Sequence, residues 1–235
     1  YNMSHNLLFC TRKGVIKKTK LEAYSRPRQN GVNAITIRED DQVIQVRLTT
    51  GDSQIIMANK HGRAIRFHES TVREMGRTAT GVRGMTLDET GDDEVIGMIC
   101  IKDPEKETVM VVSEQGYGKR SEIEDYRITN RGGKGVKTLN ITEKTGNLVA
   151  IKSVTDENDL VIINKSGITL RMKVADVRIM GRATQGVRLI NLEKRNDEIA
   201  SVCKVLSETE SDSSNSENID SASEINEAEA SETTE

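Results

Sequence analysis

The sequence contains no tryptophan, two phenylalanines and four tyrosines, so aromatic residues make up 3% of its 235 positions. That scarcity argues against single-stranded nucleic-acid binding, which depends on stacking bases against rings. It equally leaves little with which to recognise unstacked RNA bases. Any core must be built from Val, Ile, Leu and Met. Prolines number only two, while 18 glycines provide many sharp turns. Cys10, Cys100 and Cys203 each sit in an apolar run with no partner at metal spacing, and read as buried reduced thiols, which fits a cytoplasmic location. No signal peptide is evident, and no apolar run approaches the ~18 residues of a membrane span.

Catalytic chemistry is also missing. His5, His61 and His68 have no ligand partners at metal spacing, and His61 falls in a hairpin turn. Tyr24 and Tyr126 have no accompanying base and read as partial core anchors. Gly132-Gly133-Lys134-Gly135 is like a phosphate loop, but the required Ser or Thr and the following helix are replaced by Val136 and a strand-like run. The sequence therefore predicts no catalytic residue, no metal site and no cofactor in this chain.

What is present is charge, unevenly spread. The net charge is -3, from 34 Lys and Arg against 37 Asp and Glu. Residues 207–235 hold ten of those acids and no Lys or Arg, leaving a net of +7 on the remaining 206 residues. A basic body with an acidic tail fits nucleic-acid contact with self-competition. A solvated surface and a solubilising tail explain the same numbers. The tail is rich in Ser, Glu, Asn, Thr and Ala, and its composition predicts disorder.

A repeat organises the body. Met180-Gly181-Arg182-Ala183-Thr184-Gln185-Gly186-Val187-Arg188 has a sister at Met75-Gly76-Arg77-Thr78-Ala79-Thr80-Gly81-Val82-Arg83. Two divergent relatives are Asn130-Arg131-Gly132-Gly133-Lys134-Gly135-Val136-Lys137 and Arg26-Pro27-Arg28-Gln29-Asn30-Gly31-Val32. Loop glycines 31, 81, 135 and 186, and turn glycines 14, 62, 116 and 167, both recur near every fifty residues. A period of that size marks stacked or radial supersecondary units.

Each unit reads as four strands. A short apolar run (Asn6–Thr11, Gln54–Asn59, Thr108–Ser113, Asp159–Asn164) suits a strand buried on both faces. A hairpin glycine then leads to a more polar strand. Lys20–Tyr24, Glu69–Arg73, Glu122–Tyr126 and Val174–Arg178 suit short helical turns before the loops. After the loop glycine, Val32–Ile37, Val82–Leu87, Val136–Ile141 and Val187–Leu192 alternate cleanly and predict a third strand. An acidic turn precedes a fourth, at Val43–Leu48, Val95–Ile101, Leu148–Val154 and Ile199–Val205. The expected fold is all-β and propeller-like, with four four-stranded blades at about 6–53, 54–107, 108–158 and 159–206.

The loops gather Arg26 and Arg28; Arg73, Arg77 and Arg83; Arg127, Arg131, Lys134 and Lys137; and Arg178, Arg182 and Arg188. Glycine admits close backbone approach, and guanidinium forks match phosphate oxygens. Few Asn or Gln side chains accompany them, so backbone contact is expected rather than base reading. Set once per blade along a rim, these cations suit duplex DNA bent around it. The plainer alternative is that the glycines only turn the chain and the arginines are ordinary surface charge.

At these loops, and at Gln115-Gly116-Tyr117-Gly118-Lys119-Arg120, residues 6–206 resemble the C-terminal domain of the A-type chain of bacterial DNA gyrase. The resemblance implies a β-pinwheel whose blades exchange a strand, and a role in wrapping duplex DNA so that strand passage introduces negative supercoils. It implies an ATP-hydrolysing type II topoisomerase using ATP and Mg2+, with two A and two B subunits meeting through regions outside this chain, in the cytoplasm on the chromosome and without membrane. Complete domains of this family have five or six blades, so four imply that the first are missing. Thr129–Gly135 is like the family's box heptad but lacks its leading Gln. Topoisomerase IV's A-type subunit, or a propeller used only for protein contact, are the competing readings.

Overall fold

The computed structural model describes residues 4–192 and 197–207, and the chain divides into a compact unit, Tyr1–Val205, and a second unit, Leu206–Glu235. The predicted disordered tail and most of the turn at 194–197 lie outside the described residues. None of the helices described is long and apolar enough to cross a membrane.

Fifteen strands are described. The first repeat contributes β1 (Asn6–Thr11), β2 (Val15–Lys20) and β3 (Val43–Thr49). The second contributes β4 (Gln54–Asn59), β5 (Arg63–His68), β6 (Val82–Arg83) and β7 (Val95–Ile101). The third has β8 (Thr108–Ser113), β9 (Tyr117–Glu122), β10 (Val136–Lys137) and β11 (Leu148–Val154). The fourth has β12 (Asn158–Asn164), β13 (Thr169–Lys173), β14 (Val187–Arg188) and β15 (Ile199–Leu206). The predicted helical turns are short 3-10 turns at Leu21–Tyr24, Glu69–Thr71, Ile123–Asp125 and Val174–Asp176.

The all-β, four-sheet, propeller-like architecture is as expected, but the sheets are not made from one repeat each. Their orders are β3-β1-β2-β6, β10-β5-β4-β7, β11-β8-β9-β14 and β13-β12-β15. The third strand of a repeat thus completes the sheet of the preceding repeat: Val82 pairs with Ile16, Val136 with Ala64, and Val187 with Gly118. This exchange matches what the family resemblance implies.

The six-residue third strands are corrected to two residues, and residues 32–37 form none. The ladder stops because the next two amides converge on one carbonyl. Gly84 and Met85 both donate to Gly14 O, and Thr138 and Leu139 both donate to Gly62 O. Alternation beyond that point reflects burial between sheets, as at Met85 and Leu139, not pairing.

Cores form between sheets. Leu8 and Ile16 pack with Ile55 and Met98; Ile56 and Ile101 with Val109 and Ile151; Met110 and Val112 with Leu160 and Ile162. Fourth strands lie side by side: Gln45 Oε1 of β3 accepts from Met98 N of β7 at 2.7 Å, and Lys204 Nζ of β15 donates to Ser153 O of β11 at 2.8 Å. The opposite sheet edge is where the exchanged strands and the glycine loops sit.

Of the cysteines, Cys10 is buried, Cys100 half-buried and Cys203 exposed. The expectation of burial fails at Cys203 because β15 is an edge strand of its sheet, where only Ile199 and Val202 are buried and Ser201, Cys203 and Lys204 are exposed. Burial pushes the Cys100 thiol up to about 12, which makes it a weak nucleophile.

Candidate nucleic-acid interface

Each glycine loop after the first is built onto the edge strand of the preceding repeat. It first touches that strand in parallel, through bridges Lys18–Glu74, Arg66–Ile128 and Arg120–Ile179. It then loops outward and returns antiparallel as β6, β10 or β14. The return requires positive φ: Gly135 has φ +74, and a Cβ there would stand 2.3 Å from Ala64 O.

Successive loops are joined by hydrogen bonds. Thr36 Oγ1 donates to Thr78 O at 2.6 Å, Gly132 N to Gly84 O at 2.7 Å, Thr86 N to Gly133 O at 3.0 Å, and Asn140 N to Thr184 O at 3.1 Å. The four basic loops therefore form one continuous band in chain order.

The predicted cations divide into two groups on this band. Arg26, Arg28, Arg73, Arg83, Arg127, Lys134 and Arg178 are exposed, and Arg77 is half-buried. None of these eight side chains forms a hydrogen bond or ion pair with the described residues. The other four are engaged within the fold. Arg131 Nε donates to Thr71 O and its Nη1 to Arg83 O, both at 3.0 Å. Arg182 repeats this one unit later, with Nε on Asp125 O at 3.0 Å and Nη1 on Lys137 O at 2.8 Å. Lys137 Nζ reaches Asn140 Oδ1 at 3.3 Å. Arg188 donates to Tyr117 Oη and its guanidinium lies 5.5 Å from that ring's centre. In the third repeat, Arg127, Asn130, Arg131 and Lys134 line a groove of about 580 Å³.

Several contributors were not expected from sequence. Lys17 and Lys119 are buried beneath the Met-Gly-Arg loops of the following repeats. Lys17 Nζ donates to Ala34 O at 2.6 Å and to Arg77 O; Lys119 Nζ donates to Gly181 O at 2.6 Å and to Arg182 O. Desolvation pulls both ammonium groups down to about 8, with Arg77 adding to the effect at Lys17; at Lys119, Asp125 opposes it and Arg182 adds to it. Ile65 holds the corresponding place beneath the third loop, 3.5 Å from where a Gly133 Cβ would be. The signal was the recurring pair Lys17-Lys18 and Lys119-Arg120 after the turn glycine. Arg66 binds Ile123 O and Tyr126 O at 2.8 Å, fixing the turn that launches the third loop.

Two large apolar side chains also face solvent on the band: Ile128 is 56% and Ile179 45% exposed, each following a free arginine. Tyr126 is fully buried with its hydroxyl 2.5 Å from Thr138 Oγ1, and burial pushes it to about 12. Tyr24 binds Ala34 O at 3.0 Å. Both act as anchors, as the sequence predicts.

The sequence matches the family described as "DNA gyrase C-terminal domain, beta-propeller" at residues 5–50, 53–102, 107–155 and 158–203, one match per repeat. It is 47% identical over 211 residues to the DNA gyrase A protein of Staphylococcus aureus strain NCTC 8325 / PS 47, covering 90% of this chain and 23% of that protein. Against the same protein of strain MRSA252 the identity is 51% over 186 residues, or 79% of this chain and 21% of the relative. The chain thus spans under a quarter of the curated relatives it matches. Among solved structures, it resembles a DNA topoisomerase IV C-terminal domain with a TM-score of 0.81, covering 88% of this chain and 63% of that one. A DNA gyrase A C-terminal domain gives 0.77, covering 87% and 67%; both are 27% identical in sequence.

Proposed function

The chain belongs to the DNA gyrase A C-terminal domain family, and on that footing we propose that it bends duplex DNA along its band of glycine loops. The observation that carries this reading is the row of free cations, Arg73, Arg127 and Arg178, at equivalent places in three successive repeats. Each stands beside exposed loop backbone and points to phosphate contact without base reading. Bending a few tens of base pairs costs on the order of several kcal/mol, which several such contacts offset.

In the whole enzyme this wrapping directs strand passage by an ATP-dependent type II topoisomerase of two A and two B subunits. ATP and Mg2+ act in parts of that assembly beyond this chain, which works on the chromosome in the cytoplasm. The acidic segment after 207 competes with DNA for the band, so its removal raises affinity. Sequence identity of 47–51% to gyrase A proteins favours gyrase over topoisomerase IV.

The deciding experiment is topological. Relaxed plasmid is incubated with the chain, closed by a nicking-closing enzyme and resolved on a gel. A protein-dependent shift in linking number supports wrapping. Binding without a shift reduces the role to holding DNA, and absence of binding at low salt leaves a propeller for protein contact.

A further inference from the structure

The second repeat carries a cluster that chain spacing concealed. Its hairpin places His61 between β4 and β5, and the acidic turn before β7 comes back against it. His61 Nδ1 is 3.3 Å from Asp88 Oδ2 and 3.9 Å from Asp93 Oδ1. One donor atom from each of the three residues lies within 4.8 Å of the others. The expectation that no histidine has a ligand partner thus fails in space, because 27 residues separate His61 from Asp88 in the chain.

Asp93 gives the cluster its direction. Its side chain is 0% exposed. One oxygen, Oδ2, is held by Asn59 Nδ2 at 2.7 Å and by the Asp88 amide at 3.0 Å. The other, Oδ1, is buried and receives no hydrogen bond from the described residues. A buried carboxylate oxygen without a donor is costly and calls for a partner. Here the carboxylate is fixed on one side and bare on the side facing the imidazole and Asp88.

The imidazole is oriented in the same sense. Its Nε2 lies 3.4 Å from Asp92, whose Oδ1 accepts from Thr90 Oγ1 at 2.7 Å. A carboxylate on one ring nitrogen leaves the other as the ligand, the usual outer-shell arrangement around a metal-bound histidine. Ligands about 2.0–2.1 Å from a tetrahedral ion stand roughly 3.3 Å apart, close to the Nδ1–Asp88 separation.

The other repeats lack this set. Lys13 replaces the imidazole in the first, Ser166 in the fourth and Gln115 in the third. Asp41 also has one bare buried oxygen, but Lys13 beside it contributes its backbone amide, at 2.9 Å, and no ligand atom.

We infer that His61 Nδ1, Asp88 and Asp93 bind one divalent transition cation, Zn2+ by the chemistry of one imidazole and two carboxylates, with Asp92 as the outer-shell partner. The ion ties the hairpin to the acidic turn. The adjoining Gly62 carbonyl accepts from Thr138 N at 2.8 Å and Leu139 N at 3.3 Å. The same turn therefore anchors the segment that leaves the third basic loop, and the ion stiffens that anchor.

The test is calorimetric titration of the 235-residue chain with Zn2+ at neutral pH, with Mg2+ in excess as competitor. Expected is saturable binding of one ion with micromolar affinity. His61→Ala and Asp93→Asn each weaken it at least about tenfold, and Asp92→Asn by about tenfold. His68→Ala and Cys203→Ser leave it unchanged. Thermal melting without metal checks that the variants fold, and should Asp93→Asn fail that check, His61→Ala decides. Co2+ substitution gives the visible absorption of a tetrahedral nitrogen–oxygen site. Absence of saturable binding, persistence in His61→Ala, or loss in Cys203→Ser overturns the assignment.

Discussion

Arg182 Nη1 donates at 2.8 Å to the carbonyl of Lys137, a residue 45 positions earlier and one repeat back. Arg131 makes the same bond to Arg83 O at 3.0 Å. These arginines splice one loop of the band to the next, whereas Arg127 and Arg178 on the same loops have no such partner among the described residues.

Splicing and DNA contact should therefore separate. Arg182→Ala removes two charged donors from backbone carbonyls and is expected to cost about 1–3 kcal/mol of stability. The double variant Arg127→Ala, Arg178→Ala should stay within about 0.5 kcal/mol of the parent. It should instead lower DNA affinity for all sequences alike and reduce the salt slope by roughly 0.9 for each phosphate no longer neutralised. Denaturant titration and binding at several salt concentrations read the two effects. Equal loss of stability in both variants would remove the distinction.

The buried lysines give a pH signature. Lys119 lies near 8 in the folded chain against a usual 10.5. The folded state holds this proton less tightly than the unfolded one. Stability from the shift is thus fully present above about 10.5 and lost as pH falls through about 8. The stability difference between parent and Lys119→Met should grow with pH across that window, as followed by denaturant titration. A flat difference would show that the ammonium holds its proton equally in both states.

Two loop glycines with similar φ should respond differently to alanine. Gly31, φ +77, has nothing within 4 Å of the place a Cβ would occupy, while at Gly135 the backbone of Ala64 stands at 2.3 Å. Gly31→Ala is expected to cost about 1 kcal/mol, from left-handed strain alone. Gly135→Ala should cost at least about 3 kcal/mol, because strand exchange must yield as well. Thermal melting of both compares them, and equal costs would mean that the exchanged strand yields freely.

On the DNA path proposed above, Ile128 and Ile179, exposed beside Arg127 and Arg178, are the candidates for apolar wedges. Apolar wedges at base steps promote kinking. Replacing both by Ala should leave stability within about 0.5 kcal/mol and reduce DNA bending. Fluorescence transfer between duplex ends measures it, and an unchanged bend would exclude the wedge.

Strands, period and the sign of the surface are all written locally in the chain. Runs such as Gln54–Asn59 and Thr108–Ser113 are too apolar for anything but a doubly covered strand, and each is followed three residues on by a turn glycine, Gly62 or Gly116. Partnership is not written there. Val136 and Lys137 alternate like part of their own repeat, yet their hydrogen bonds go to Arg63 and Ala64 of the repeat before. Arg127 and Arg131 look alike in the sequence, and only the position of Thr71 and Arg83 makes one a splice and leaves the other free. Lys17 and Lys119 stand in the more polar second strands, and the carbonyls of a loop about sixty residues later close over them. Local pattern encodes whether a residue is inside or outside. Which distant backbone meets it is set by how the sheets stack, and that decided both the band of free cations and the cluster around His61.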